Sequence, residues 1–281
     1  ASDLAAEATK EALRDAGVEP DEIDCIIFAT LSPDHNFPGS GCFLQQKLGL
    51  AGIPALDIRN QCSGFLYGLA VADSWIRTGM YRRILLAGAE VHSTGLDKST
   101  RGRDVACLFG DGAGVVVLGP DESGESGILA VRLHADGRYA KNLWLEAPAS
   151  RYYPARIDEE MIRQGRHFPK MEGRRVFVEA VRKMPEVIGE VLDACSLGLS
   201  DVDLFVPHQA NQRITEAVAK KLGLPEEKVF SNIEKVGNTT AASIPLCLSD
   251  AQRQGRLKRG DLVCMASFGA GFTWAAALVR W

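Results

Sequence analysis

Apolar positions along the chain recur with two alternating periods. From Leu4 to Ala16 they fall at 4, 5, 8, 12 and 13, the spacing of one helix face, and the run stops at Gly17, a residue suited to a left-handed cap. Directly afterwards EIDCIIFAT carries a short continuous apolar run, Cys25–Thr30, which predicts a buried strand. Ile84–Gly88, Leu204–Pro207 and Leu262–Ala266 read the same way, and amphipathic stretches separate them. Strands and helices therefore alternate from end to end, which predicts an α/β fold.

The pattern also repeats itself. A helix over Glu186–Cys195 runs into LSDVDLFVPHQ, the same order of helix, polar turn, apolar strand and polar crest as at the start of the chain. The word KLGL closes the next segment at 47–50 and again at 221–224, and a short strand follows each copy, PALDI and then KVFSNI. A polar residue then opens a helix, Cys62 in one case and Asn238 in the other, and each reaches a glycine 17 positions on, Gly79 and Gly255. A basic turn and a strand come next both times, YRRILLAG and RLKRGDLVCMAS. The chain reads as two fused copies of one βαβ-rich unit, divided into residues 1–175 and 176–281, with Cys62 and Asn238 in equivalent places. Helix starts at strand ends between two α/β units are where ligands usually bind.

Composition narrows the class. With 281 residues, 46% of them hydrophobic and 24% charged, the chain can bury a full core. A formal charge of −4 argues against nucleic acid as the main partner, since phosphate binding needs a basic excess. The seven cysteines are odd in number and sit mostly in apolar runs, which suits free thiols in a reducing compartment and predicts the cytoplasm. No apolar stretch approaches the ~20 residues of a membrane span, and no signal peptide is recognisable.

Three residues stand out as chemistry. Cys62 lies in QCSGFLYGLAVADSW, at the first turn of an apolar helix, where backbone N–H groups favour a thiolate and a developing oxyanion. The plainer alternative is a buried structural cysteine, the role expected of Cys25, Cys107 and Cys264. His208 ends the strand of FVPHQANQRI, well placed to enter a cleft, although a lone histidine often only caps a surface. Asn238 in KVGNTTAASIP reads equally as an ordinary helix cap. The remaining histidines (35, 92, 134, 167) have no metal-ligand spacing with the cysteines, so no metal site is expected. LFGDGAGVVVLG lacks both the G-x-G-x-x-G spacing and the lysine of a phosphate loop, and reads as strand, tight turn and strand around Asp111-Gly112.

Taken together, QCSGF, RDVACLFGDGAG, VPHQAN, GNTTAASIP and the closing SFGAGFTWAAALVRW resemble the β-ketoacyl-acyl-carrier-protein synthase III family of the thiolase fold, in matching order from residue 1 to Trp281. The resemblance implies two similar halves in a five-layered αβαβα arrangement and a catalytic set of Cys62, His208 and Asn238. Cys62 would take an acyl group from acyl-CoA. Malonyl-acyl carrier protein would then lose carbon dioxide, with His208 and Asn238 stabilising the enolate that attacks the acyl-enzyme, initiating fatty acid or related polyketide synthesis. The backbone N–H groups of Cys62 and Ala270 would form the oxyanion hole. Arg103, Gly173, Phe177, Ala210 and Asn211 would line the CoA and pantetheine channel, and Phe37 would close the acyl pocket of the partner in a homodimer. Arg213, Lys220 and Lys221, on the helix after His208, would dock the acidic carrier protein. No cofactor is implied beyond these substrates.

The chain departs from the family in two places. A segment with the family's first strand and its adenine-holding residues would precede Ala1, and the stretch 136–172 reads as an insertion that reshapes the acyl pocket or channel mouth. Other readings are a thiolase-fold acyltransferase with a different acceptor, a condenser of two acyl chains, a catalytically silent partner subunit, or a thiol redox protein. Cys62 argues against a silent subunit, the His208–Asn238 pair favours decarboxylation, and no C-x-x-C supports redox exchange.

Overall fold

The computed structural model describes residues 1–281. Along the first half run α1 (Ser2–Ala16), β1 (Cys25–Ala29), α2 (Ser40–Lys47), β2 (Ala55–Ile58), α3 (Gly64–Arg77), β3 (Ile84–Glu90), α4 (Arg103–Ala106) and β4 (Gly112–Leu118). Next come β5 (Gly127–Ala135), β6 (Leu143–Trp144), α5 (Glu159–Arg163), β7 (Lys170–Met171) and α6 (Gly173–Ala194). The chain ends with β8 (Leu204–Pro207), α7 (Gln212–Leu222), α8 (Ile233–Val236), α9 (Ser243–Arg253), β9 (Leu262–Gly269) and β10 (Thr273–Arg280). No helix is long and apolar enough to cross a membrane.

Two four-stranded sheets stack in this fold, ordered β2-β1-β3-β4 and β5-β10-β9-β8. The first is parallel across β2, β1 and β3 and antiparallel only where β4 pairs with β3, whereas the second is antiparallel across β5, β10 and β9 and parallel only where β8 pairs with β9. Strand alternation assigns the layers. Cys25 and Ile27 of β1 face inward with Leu204 and Val206 of β8, and the helices between the sheets, α3 and α9, supply Phe65, Leu69, Ile244 and Leu248 to that central layer. Ile26 and Phe28 face outward onto α1 and α2, while Phe205 packs with α6 and α7 on the opposite side. The result is α, β, α, β, α, as expected. Strands β1, β3, β8 and β9 are buried on both faces, which is why they read as continuous apolar runs and not as alternating ones.

Individual elements depart from the sequence expectations. Helix α6 begins well before Glu186 because Pro185 is accommodated inside it. A proline donates nothing to the carbonyl four residues earlier, and that carbonyl, Val181 O, is taken up by Lys221 Nζ at 3.2 Å. The Asp111-Gly112 turn joins no hairpin: α4 and an irregular stretch precede it, and β4 pairs with β3. Cys107 is exposed, whereas Cys25 and Cys264 are buried. A boundary at 175/176 falls inside α6, and β5, which precedes it, belongs to the second sheet.

Candidate active site

The C-terminal ends of β1, β3, β8 and β9 converge on two short turns between the sheets. One turn, Gln61–Ser63, carries Cys62 into α3, and the other, Thr240–Ala242, leads into α9. Each opens on a residue in the left-handed region, Gln61 at φ 44° and Thr240 at φ 49°, a backbone state that non-glycine residues rarely adopt and that costs on the order of 1–3 kcal/mol. The turns match each other so that Gln61 corresponds to Thr240 and Cys62 to Ala241. The equivalence of Cys62 with Asn238 is thus corrected: α9 has 11 residues against 14 in α3, so the second helix starts later and Asn238 stands ahead of its turn.

Cys62 is 6% exposed and is fixed from three directions. Ser63 Oγ bonds both Ser267 Oγ and Thr273 Oγ1 at 3.1 Å, tying the turn to β9 and β10. Thr273 Oγ1 also donates to the Ala270 carbonyl at 3.2 Å, which orients the peptides of the Gly269–Ala270 corner. Gly269 passes so close that a Cβ there would stand 2.7 Å from Cys62 Sγ. Burial pushes the thiol up to about 12, with the nearby Glu90 carboxyl adding to the rise, while the backbone N–H groups of Ala270 and Cys62 act in the opposite direction. A resting thiol, and not the thiolate expected of a helix start, is the consequence, because desolvation outweighs the local dipoles. Glu90 is itself fully buried at the end of β3, pushed up to about 7 by burial against donors from Ser32, Leu31 and Thr30.

His208 is 2% exposed at the end of β8 and is held to about 3 by burial, so it is neutral. Its Nδ1 lies 2.6 Å from Ser243 Oγ, and Nε2 is buried with no partner. Asn238 is clamped from the first half of the chain: its N–H donates to Leu108 O at 2.8 Å, and Gly110 N–H donates to its carbonyl at 3.0 Å. Its side-chain oxygen accepts the Thr240 N–H at 2.9 Å. Asn238 is therefore not the helix cap read from the sequence: Thr239 precedes the turn and Ala242 precedes α9, and the bond to Thr240 uses only the side-chain oxygen of Asn238.

A cavity of about 950 Å³ opens onto this junction. Cys62, Asn238 and Ala270 surface in it, together with Gly173, Phe177, Ala210, Asn211 and Arg213. Neither His208 nor Ser243, which holds its Nδ1, surfaces there. Arg103 is exposed and paired with Asp104, which does line the cavity. Lys220 and Lys221 are exposed on α7 away from the lining, and Phe37 is 80% exposed on the outer surface. The 136–172 stretch supplies Ala140, Leu143, Trp144, Leu145, Pro148 and Met171 to the wall, braced by Glu146 against Arg166 and Lys170. Sequence reasoning missed Gln61, His92, Phe109 and Leu31 in the lining. Of these, Gln61 lies in the QCSGF word and Phe109 in the FGDG word, while Leu31 and His92 lie in no motif.

A buried cysteine at the meeting point of two stacked α/β halves, in this five-layered arrangement, defines an acyltransferase of the thiolase fold. Two family profiles match, 3-oxoacyl-[acyl-carrier-protein (ACP)] synthase III over residues 56–137 and its C-terminal counterpart over 192–281. The chain belongs to the β-ketoacyl-[acyl-carrier-protein] synthase III family. The protein of that name from Caldanaerobacter subterraneus subsp. tengcongensis is 46% identical over 280 residues, covering 100% of this chain and 83% of the relative. The crystal structure of 3-oxoacyl-[acyl-carrier-protein] synthase III from Aquifex aeolicus VF5 superposes with a TM-score of 0.88 at 44% identity, over 99% of this chain and 83% of that one. OleA from Xanthomonas campestris shares the fold alone, with a TM-score of 0.86 at 21% identity over 100% of this chain and 82% of that one.

Proposed function

We propose that Cys62, His208 and Asn238 divide between them the two half-reactions of a decarboxylative condensation that joins an acyl-CoA primer to malonyl-acyl carrier protein. In the first, Cys62 Sγ bonds to the thioester carbonyl carbon, the carbon–sulfur bond to CoA breaks, and CoA leaves with the proton lost by Cys62. The carbonyl oxygen sits against the N–H groups of Cys62 and Ala270, the two donors that already act on the sulfur. In the second, the malonyl carbon–carboxylate bond breaks and carbon dioxide departs. The electron pair passes into an enolate, which attacks the acyl carbon and expels the Cys62 thiolate.

The observation that carries this reading is the unpartnered His208 Nε2. A buried polar nitrogen left unpaired costs about 1–3 kcal/mol, which a substrate oxygen recovers. The Ser243 hydroxyl proton has two acceptors in reach, His208 Nδ1 at 2.6 Å and the Thr240 carbonyl at 3.0 Å, and Nε2 is a donor in the tautomer where the shorter contact takes that proton. Asn238 Nδ2, in the cavity wall, is the second donor to the same oxygen. A neutral histidine suits this role, since it donates without adding charge that would bind the malonyl carboxylate and oppose its loss.

The same reading places the primer's pantetheine along Gly173, Phe177, Ala210 and Asn211, with Arg103 at the mouth, and the carrier protein on Arg213, Lys220 and Lys221. It takes the chain as two related halves divided near residue 175, a homodimer in which the exposed Phe37 closes the partner's pocket, and a cytoplasmic enzyme with no cofactor beyond its substrates. The test is mass spectrometry of Cys62→Ala and Asn238→Ala after acyl-CoA, then malonyl-carrier protein. Cys62→Ala should take up no acyl group. Asn238→Ala should load normally and lose carbon dioxide release by on the order of 10²-fold. Acylation at another cysteine, or equal loss of both steps in Asn238→Ala, defeats the assignment.

A further inference from the structure

Thr240 is the most constrained residue of the site that this division of labour leaves without a role. It is β-branched, 1% exposed, and sits at φ 49°. Such a conformation persists only where surrounding contacts over-determine it. Two contacts do so. Its N–H holds the Asn238 side-chain oxygen at 2.9 Å, and its Oγ1 lies 2.7 Å from His92 Nε2. His92 is itself anchored at the backbone, where its N–H donates to Asp111 Oδ1 at 2.7 Å, and Ser93 adds its own N–H and hydroxyl at 2.9 and 2.5 Å to the same carboxylate. Its ring packs against Phe109 with 4.8 Å between centroids, and Phe109 pairs with Asn238 through a parallel bridge.

These contacts make the FGDG word a bracket around Asn238. Leu108 and Gly110, on either side of Phe109, grip its backbone, and Asp111 holds His92, which holds Thr240, which sets the angle of the Asn238 amide. A Cβ on Gly110 would stand 2.0 Å from Val236 O, so the bracket closes only with glycine there. We infer that His92 is a positioning residue for the decarboxylation step, acting through the Thr240 hydroxyl to aim the Asn238 amide at the malonyl thioester oxygen. This rests on the donor role proposed for Asn238. His92 also lines the cavity, so a purely space-filling role is the competing explanation, and the two differ in which half-reaction they touch.

The experiment measures acyl loading from acyl-CoA and carbon dioxide release from malonyl-carrier protein separately. The variants are His92→Phe, His92→Gln, Thr240→Val and the double variant His92→Phe/Thr240→Val. His92→Phe keeps a ring against Phe109 and removes the hydrogen bond. It should load at near the parent rate and lose carbon dioxide release by on the order of 10- to 100-fold, the usual cost of a misaimed group, with little change in KM for malonyl-carrier protein. Thr240→Val should do the same, the double variant should be no worse than either single one, and His92→Gln, which restores a polar partner, should recover part of the loss. Carbon dioxide release unchanged in both single variants, additive losses in the double variant, or equal losses in loading and decarboxylation would overturn the inference. Asn238→Ala run alongside separates the two levels: if it releases carbon dioxide normally, the donor role fails, and if it alone is impaired, only the relay from His92 fails.

Discussion

Gly110→Ala offers a sharp test of how the site is held, because the substitution changes one methyl group outside the cavity. The Gly110 backbone lies outside the left-handed region, so alanine is conformationally acceptable and only its contacts matter. The added Cβ would meet the Val236 carbonyl oxygen at 2.0 Å. Ordinary carbon–oxygen contact needs about 3.3 Å, so the strand of chain from Val236 to Asn238 must retreat by roughly 1 Å. Backbone meets backbone, and no side-chain rotation relieves it. The retreat strains two hydrogen bonds, Asn238 N–H to Leu108 O at 2.8 Å and Gly110 N–H to Asn238 O at 3.0 Å, each worth about 1 kcal/mol. A loss of about 2 kcal/mol in stability should accompany the change, read as the urea midpoint. The catalytic consequence is larger and one-sided. A displacement of about 1 Å at Asn238 should lower malonyl decarboxylation by on the order of 10²-fold, while loading survives, since Cys62 is held through Ser63, Ser267 and Thr273. Gly269→Ala is the mirror image: its Cβ would press on Cys62 Sγ at 2.7 Å, and loading should fail first. Rapid-quench labelling from acyl-CoA and carbon dioxide release, run on both variants, decide the matter. If Gly110→Ala slowed both steps equally, or neither, the separate anchoring of Cys62 and Asn238 would be refuted.

Reversing the charges of Arg213 and Lys220 should raise KM for malonyl-carrier protein by on the order of 10-fold, more at low salt, with acyl-CoA loading unchanged; a KM indifferent to salt and charge would return both to ordinary surface. Lys221→Glu should add a stability loss of its own, because its ammonium group satisfies the Val181 carbonyl opposite Pro185. Stability should also fall in mild acid. His92 and His208 are pushed down to about 4 and about 3 by burial, so the unfolded chain gains two protons below pH 6.5, whereas Glu90, pushed up to about 7, already holds one in the folded state above pH 4.5. The net difference between pH 4.5 and 6.5 is one proton, a loss of about 1.4 kcal/mol per pH unit on acidification. His92→Phe should make urea stability nearly flat across that window, and an unchanged slope would contradict the neutral burial of His92.

Much of this protein was legible in its residue order. Buried strands such as Cys25–Ala29 and Leu204–Pro207 are apolar on both faces, so they are visible as short continuous runs, and α1 ended at Gly17 because a left-handed cap at φ 62° favours glycine. Cys62, His208 and Asn238 stood out because each is a reactive or polar residue at the crest of such a strand or the start of such a helix. The arrangement that makes them a site was decided elsewhere. Asn238 is gripped by Leu108 and Gly110, and its amide is aimed by Thr240 under His92, residues more than a hundred positions apart that no local period connects. Helix α6 runs through Pro185 because Lys221, from another helix, takes the orphaned carbonyl. The protonation of Cys62 and His208 follows the same division: the sequence put the thiol beside helix N–H groups that would lower it, and the closed packing of two sheets around it, by removing water, raised it. Local sequence specifies which backbone groups and side chains are available, while desolvation and long-range hydrogen bonds exist only once the two halves are stacked.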